Sequence, residues 1–271
     1  DKMDVRPALA AIAVAGPVAE GKARLTNGAW RFDAAALAKR FGFARVLLVN
    51  DFAAQAWALP CYGPAHLHCL GGGAGVEGAP KVVLGPGTGL GLAAWLDAGG
   101  ALVGEGGHVG LAAESEREAA VIARLRRRYG HVSAERVLSG PGLVELYATL
   151  AEVEGRAASP RRDPAEITDA ALASNCPASM AALALFLAWL GGFAGDAALL
   201  FGARGGVYLG GGILPRLAGA LAGSDCRARF EAKGRLSAYL APIPLYLIDH
   251  PQPGLLGLSA LVGAEGSSLS C

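Results

Sequence analysis

Apolar residues along this chain come in short continuous runs, each closed by glycine, proline or a polar pair. The plainest is Arg45-Val46-Leu47-Leu48-Val49-Asn50-Asp51-Phe52. Its apolar centre does not alternate with polar positions, as in a parallel strand covered on both faces, so the pattern predicts a strand over Arg45–Asn50. A first buried strand is expected at 9–15, closed by Gly16-Pro17, with short strand or loop segments at 22–27 and 30–32 and Asn27-Gly28 as a turn signal. Asp33 is placed to cap a helix over Ala34–Phe41, and Gly42 to end it. Strand, helix, strand in that order implies a right-handed parallel crossover. A helix at 52–59 comes next. The stretch 60–78, with His66 and His68 expected at the surface, reads as a loop-rich domain junction.

The run at 81–84 predicts a strand that enters Gly85-Pro86-Gly87-Thr88-Gly89-Leu90-Gly91, and a second strand leaves through Trp95. Glycines at alternate positions let the backbone turn sharply and present successive N–H groups to an anion, and Thr88 adds a hydroxyl. The turn joins strand to strand, and no G-x-x-x-x-G-K-[ST] occurs, so the alternatives are a phosphate nest and a plain glycine hairpin. In Gly104-Glu105-Gly106-Gly107-His108-Val109-Gly110, Glu105 and His108 are the side chains with polar reach. They suit charge-assisted hydrogen bonds to a polyol, whereas a metal site would need a third nearby ligand. A helix is expected over Glu116–Tyr129, with Arg124, Arg126, Arg127 and Arg128 on a solvated face. Another is expected to begin within 131–140, capped by Ser133, where Glu135 is either functional or a first-turn carboxylate favoured by the helix dipole. Helices at 142–154 and 164–173 follow, the second after an Arg161-Arg162-Asp163 linker. The stretch 205–215 gives a strand, a glycine turn and a helix opened by Pro215. Such a turn lets a flat ring approach the backbone, or serves close strand-to-helix packing. A strand at 243–248 and a helix at 255–262 complete the pattern.

Composition narrows the class. A chain of 271 residues suffices for one large domain or two smaller ones. With 24 Lys+Arg against 23 Asp+Glu, neither nucleic acid nor an anionic membrane is an expected partner. The charge-free segment 178–195 just reaches the length of a bilayer span. It is rich in alanine, broken by Gly191-Gly192, followed by Asp196 and without close basic flanks, so a helix buried on all sides is expected. The charged opening Asp1-Lys2-Met3-Asp4 does not resemble a secretory signal. Five scattered cysteines without C-x-x-C spacing predict reduced cytoplasmic thiols, with neither a zinc site nor a disulfide framework. Asp51 stands at the carboxyl end of its strand, where open α/β sheets bind ligands. It is either a general base or a cap for the following helix.

In order and wording, Asn50-Asp51-Phe52, the 85–91 turn, 104–108, His131-Val132-Ser133-Ala134-Glu135-Arg136-Val137-Leu138-Ser139-Gly140, 206–215 and Pro253-Gly254-Leu255-Leu256-Gly257 resemble the bacterial glucokinase family of the hexokinase and actin-like ATPase superfamily. The resemblance covers nearly the whole chain. Related sugar kinases and repressors with a structural zinc carry a Cys-rich motif soon after their Gly-His pair, and 111–118 has no cysteine. The resemblance implies an α/β, actin-like ATPase (ribonuclease H-like) fold of two domains with a cleft. Residues 1–61, completed by 252–271, would form the small domain, and 62–251 the large one. The implied reaction is ATP-dependent phosphorylation of glucose at its 6-hydroxyl.

Site roles follow from the same likeness. It makes Asp51 the base, and has Asn50, Glu105, His108 and Glu135 hold the other sugar hydroxyls. It assigns Gly87, Thr88 and Gly89 to the nucleotide phosphates, and Gly210 and Gly211 to a wall beside adenosine. Mg²⁺ would arrive with ATP, with no metal site of the protein's own. Glucose, ATP and a second copy of the chain are the implied partners. The family pattern also opens with a hairpin, D-x-G-G-T-x-x-R, that embraces the phosphates from the other side, and no Gly-Gly-Thr occurs here. The first domain is therefore expected to be N-terminally incomplete, with an open edge beside 9–15 and 45–50. The alternative function is a non-catalytic sugar-binding remnant.

Overall fold

The computed structural model describes residues 7–25, 28–156 and 163–268. Asn27 of the expected turn, Arg161 and Arg162 of the linker, the charged opening and Cys271 lie outside the described residues. The chain divides into two units. One comprises Asp1–His66, Ala93–Val103 and His250–Cys271, the other Leu67–Leu92 and Gly104–Asp249. The expected boundaries, 61 and 252, fall a few residues from these. The return of the chain to the first unit at 93–103 was not expected.

The first unit begins with β1 (Leu9–Val14), followed by β2 (Val18–Ala19), β3 (Lys22–Arg24) and β4 (Arg31–Asp33) in a small antiparallel sheet. Helix α1 (Ala34–Phe41) starts where Asp33 accepts from the Ala36 N–H at 3.0 Å, and it stops at Gly42, whose φ of +74° is costly for any residue with a Cβ. Strand β5 (Arg45–Asn50) then lies parallel to β1, pairing Leu9 with Arg45 through Val14 with Asn50. Among the described strands, β1 and β5 pair only with each other. Val14, Ala23, Val46 and Leu48 form the buried centre beneath them. Helix α2 (Asp51–Ala58) leaves β5 directly.

The second unit opens with a surprise for a stretch expected to be loop. Strand β6 (Leu67–Gly71) is followed by β7 (Lys81–Pro86) and β8 (Leu90–Leu96). His68 is exposed and meets Asp249 at 2.9 Å, while His66 is half-buried. Strand β8 carries the chain into the first unit, where Ala93–Leu96 pair antiparallel with β9 (Gly100–Val103). Then come α3 (Glu116–Tyr129), α4 (Gly140–Val153), α5 (Pro164–Leu172) and α6 (Pro177–Phe201). Ser115, Ser139 and Asp163 cap the first three, each accepting from the N–H of the third helical residue. Strand β10 (Gly206–Leu209), α7 (Ala218–Ala222), α8 (Cys226–Glu231), α9 (Ser237–Leu240) and β11 (Leu245–Ile248) follow. In this unit the strands run β6-β11-β10-β7-β8, with β10 parallel to both its neighbours and β6 antiparallel at the edge. Pro215 opens a 3₁₀ turn before α7, where the sequence suggested a single helix.

Helix α6 is long and apolar enough to cross a bilayer by composition, yet 78% of its most apolar window is buried by the protein. It packs on α4, α5 and α8. Gly191 and Gly195 explain how α8 comes so close: a Cβ at either would lie 1.9 Å from the Cys226 carbonyl oxygen or 2.4 Å from that of Phe230. The last helix, α10 (Pro253–Ser268), returns to the first unit and packs on α2 and β1. There Gly257 lets the two helix backbones touch, since its Cβ would fall 1.6 Å from the Ala54 carbonyl oxygen.

Cys61, Cys69, Cys176 and Cys226 are all free thiols. Burial pushes the Cys226 thiol up to about 12, so at pH 8 it holds its proton and is no nucleophile. Iodoacetamide at pH 8 is therefore expected to label exposed Cys61 and Cys69 in the native protein and to spare Cys226 until denaturant is added. Peptide mass mapping checks this, and fast native labelling of Cys226 would contradict its packing under α6.

Candidate active site

The strongest constellation lies within the second unit. The turn between β7 and β8 is tight, its Gly87 N–H donating to the Gly89 carbonyl at 2.7 Å. The start of α4 is tied to it, because the Gly140 N–H donates to the Gly87 carbonyl at 2.8 Å. Thr88 stands exposed at the tip. The glycine turn after β10 abuts the same place. A Cβ on Gly85 would lie 2.1 Å from the Gly210 carbonyl oxygen, and one on Gly211, at φ +88°, 2.4 Å from that of Pro86. Close packing thus accounts for Gly85 and Gly211, and it brings the two glycine turns side by side.

Glu135 joins that turn to the 104–110 loop. Its Oε2 accepts from the Leu90 N–H at 2.9 Å, and its Oε1 lies 4.0 Å from His108 Nδ1. Gly89 makes room for it, since a Cβ there would sit 2.5 Å from Glu135 Oε2. The backbones of the two loops are stitched together: Glu135 N–H to Gly107 carbonyl (2.8 Å), Ala134 N–H to Val109 carbonyl (2.9 Å), and His131 Nε2–H to His108 carbonyl (3.0 Å). This stitching replaces the helix expected within 131–140. Those residues form turns, in which Ser133 Oγ accepts from the Arg136 N–H, and α4 begins only at Gly140.

Thr88, His108 and Glu135 line one open polar depression of about 210 Å³. Ser139, Arg136 and Glu145 line it too, and sequence reasoning missed them. Ser139 had a legible signal: it precedes Gly140-Pro141 as a cap should, and it donates from Oγ to the Glu135 carbonyl at 2.9 Å while accepting from Gly142. Arg136, stacked 4.1 Å over the Tyr129 ring, and Glu145, paired with Arg128, had none. Arg128 also bonds Thr149 and pairs with Glu152, so it bridges α3 to α4 rather than standing on a purely solvated face. Glu105 does not line the depression. It is exposed at the head of the 3₁₀ turn Gly106–His108.

Asn50 and Asp51 belong to the first unit. There the structure reassigns the helix cap. Asn50 Oδ1 accepts from the Phe52 and Ala53 N–H groups at 2.8 and 3.4 Å, and its Nδ2 donates to the Gly16 carbonyl at 3.2 Å. Asp51 is the first residue of α2, half-buried, with Oδ1 accepting from its neighbour Phe52 at 3.0 Å. A carboxylate there is favoured by the helix dipole and is not needed as the cap. Among the described residues, no three His, Cys, Asp or Glu side chains converge closely enough to hold a metal ion.

A sequence profile of the family described as Glucokinase matches residues 2–265. The glucokinase of Paramagnetospirillum magneticum is 47% identical over 262 residues, which are 95% of this chain and 81% of that protein. The crystal structure of a glucokinase from an Antarctic psychrotroph superposes with a TM-score of 0.86 at 37% identity, covering 94% of this chain and 80% of that one. A ROK-family glucokinase from Streptomyces griseus, solved with glucose and AMPPNP, shares the fold at a TM-score of 0.60 and 19% identity, covering 92% and 79%. The fold is thus that of the actin-like ATPases, and with an almost complete profile match and close relatives across most of their length, the chain belongs to the glucokinase family.

Proposed function

We propose that this sugar-phosphorylating enzyme transfers the γ-phosphoryl group of ATP to the 6-hydroxyl of glucose, with Asp51 as the general base. The observation that carries the reading is Glu135, an acceptor for sugar hydroxyls held between His108 and the turn that bears Thr88. One depression thus offers polyol-binding groups next to an exposed, glycine-flanked hydroxyl suited to phosphate. Phosphoryl transfer asks chiefly for positioning and charge stabilisation. Gly87, Thr88 and Gly89 would meet the phosphates, and Gly210 and Gly211 the adenosine. Glu105 would need its exposed side chain to turn toward the sugar, and Asn50 has one amide hydrogen left beyond its bond to Gly16. The Streptomyces complex with glucose and AMPPNP supports the choice of both substrates. Mg²⁺ fits as a companion of the nucleotide, neutralising phosphate charge and bound through phosphates and water. The free thiols fit a cytoplasmic setting, and the family likeness favours a homodimer.

The test is a coupled assay for glucose 6-phosphate with glucose and MgATP, beside calorimetric titration with glucose. Binding without turnover would sink the kinase reading. Glu135→Gln keeps the shape and the Leu90 bond but loses the charge. Charge-assisted hydrogen bonds contribute about 1.5–3 kcal/mol, so the glucose dissociation constant is expected to rise about tenfold or more. An unchanged constant would remove Glu135 from the sugar site.

A further inference from the structure

Among the described residues, Arg136 is the one arginine or lysine that lines the polar depression. Its backbone is fixed twice from Ser133, whose carbonyl and Oγ accept from the Arg136 N–H at 3.1 and 3.2 Å. Its guanidinium carbon lies 4.1 Å from the centre of the Tyr129 ring, well inside the range of a cation–π contact. Tyr129 is held in turn, because its hydroxyl donates to Glu145, which also pairs with Arg128 at 3.3 Å. A tethered ring thus supports the charge from beneath.

What Arg136 lacks is a carboxylate. Arg117, Arg128, Arg227 and Arg229 each pair with one in this unit. Among the described residues, no hydrogen bond or ion pair occupies the Arg136 guanidinium, although Glu135 and Glu145 share the depression with it. Glu145 is engaged by Arg128 and Tyr129, and Glu135 by the Leu90 N–H. A guanidinium stacked on a ring keeps its N–H edge available, and that edge matches phosphate oxygens two at a time. The unfilled partner of this cation is therefore an anion that enters the depression.

The company Arg136 keeps indicates which anion. Glu135 and His108, proposed above to hold the sugar, line the depression together with Thr88, proposed to meet the phosphates. The group that passes from one set to the other is the transferred phosphoryl. We propose that Arg136 binds this phosphoryl group, on ATP before transfer and on glucose 6-phosphate after it, with Tyr129 as its positioning residue; the assignment rests on the kinase reading above. As the 6-oxygen of glucose bonds to phosphorus, the bond to the β-phosphate oxygen breaks, ADP leaves and the hydroxyl proton goes to the base. The guanidinium meets the charge spread over the three equatorial oxygens meanwhile.

Calorimetric titrations with glucose 6-phosphate, glucose and MgADP, beside steady-state kinetics, test this on wild type, Arg136→Met, Tyr129→Ala and Tyr129→Phe. Arg136→Met is expected to weaken glucose 6-phosphate binding about tenfold or more, as the loss of a charge-assisted bond does, and to lower kcat by at least as much. Glucose and MgADP lack the transferred group, so both are expected to bind within about twofold of wild type. Tyr129→Ala should weaken glucose 6-phosphate alone, and Tyr129→Phe, which keeps the ring, should restore it. A merely structural role would move all three ligands together. Should the methionine variant misfold, Arg136→Gln, neutral but polar at this exposed position, is expected to show the same selective loss. Unchanged glucose 6-phosphate affinity in the variant, or an equal loss for glucose, overturns the assignment. A wild type that makes no glucose 6-phosphate sinks the kinase reading itself, whereas turnover with unaltered product affinity in the variant sinks Arg136 alone.

Discussion

Asp51→Asn is expected to lower kcat for glucose phosphorylation by about 10²–10⁴-fold, the usual contribution of a positioned general base. Glucose affinity, measured by calorimetry without nucleotide, should stay within about threefold, since the loss concerns proton transfer rather than ground-state binding. The substitution is informative because Asn50, not Asp51, holds the first N–H groups of α2. An asparagine at 51 can still accept from Phe52, so the helix remains capped and the circular dichroism spectrum should not move. A variant with near wild-type turnover would leave Asp51 as a first-turn carboxylate and nothing more.

Arg229→Met is expected to destabilise the protein by about 3–5 kcal/mol, because it strands a buried charge. Glu118, 1% exposed, is held bidentately by Arg229 at 2.6 and 3.2 Å, and the same guanidinium lies 2.9 Å from Glu114. Lys233 extends the network to Asp196 at 2.7 Å. The bond to Glu118 raises the Arg229 pKa further, against the lowering by burial, so the guanidinium is charged at any working pH. For a protein this size each kcal/mol moves Tm by about 2–4 °C, so a fall of about 6–20 °C is expected by calorimetry. In the variant, Glu118 would keep the Glu114 N–H, 2.7 Å away, but lose its cation, and burial without that cation favours its protonated form. The folded state then takes up a proton that the unfolded chain gives up, so the deficit shrinks as pH falls from 8 toward 5. Replacing both residues by methionine should recover much of the loss. A pH-independent deficit would show that lost packing, not charge, dominates.

What the sequence disclosed was mostly local. Asp33 and Gly42 delimit α1, and the unbroken apolar run delimits β5, because caps and periodicity act within a few residues. The edge strand β6 was illegible, since it exists by pairing with β11 across nearly the whole second unit and its register slips between Leu245 and Tyr246. The turn at 131–140 read as a helix because Ser133 and Glu135 have the spacing of a helix start. Backbone partners in 107–109 overrule that preference. Glycine-rich turns were visible as such, but which glycines serve packing depended on atoms far along the chain, such as Gly210 for Gly85 and Ala54 for Gly257. The site residues were named through family likeness. Their geometry then distinguishes Glu135 and His108, which line the depression, from Glu105, which does not.

The first unit is assembled from three separated segments, and α2 rests on a helix that begins only at Pro253. During synthesis at about 5–20 residues per second, every described strand of the second unit has been made by Ile248, so that unit can close while the chain is still growing. Helix α2 must wait about 10–40 s for the backbone that Gly257 brings against Ala54. Until then the segment bearing Asp51 lacks its packing partner, and the proposed catalytic carboxylate is among the last groups to be fixed.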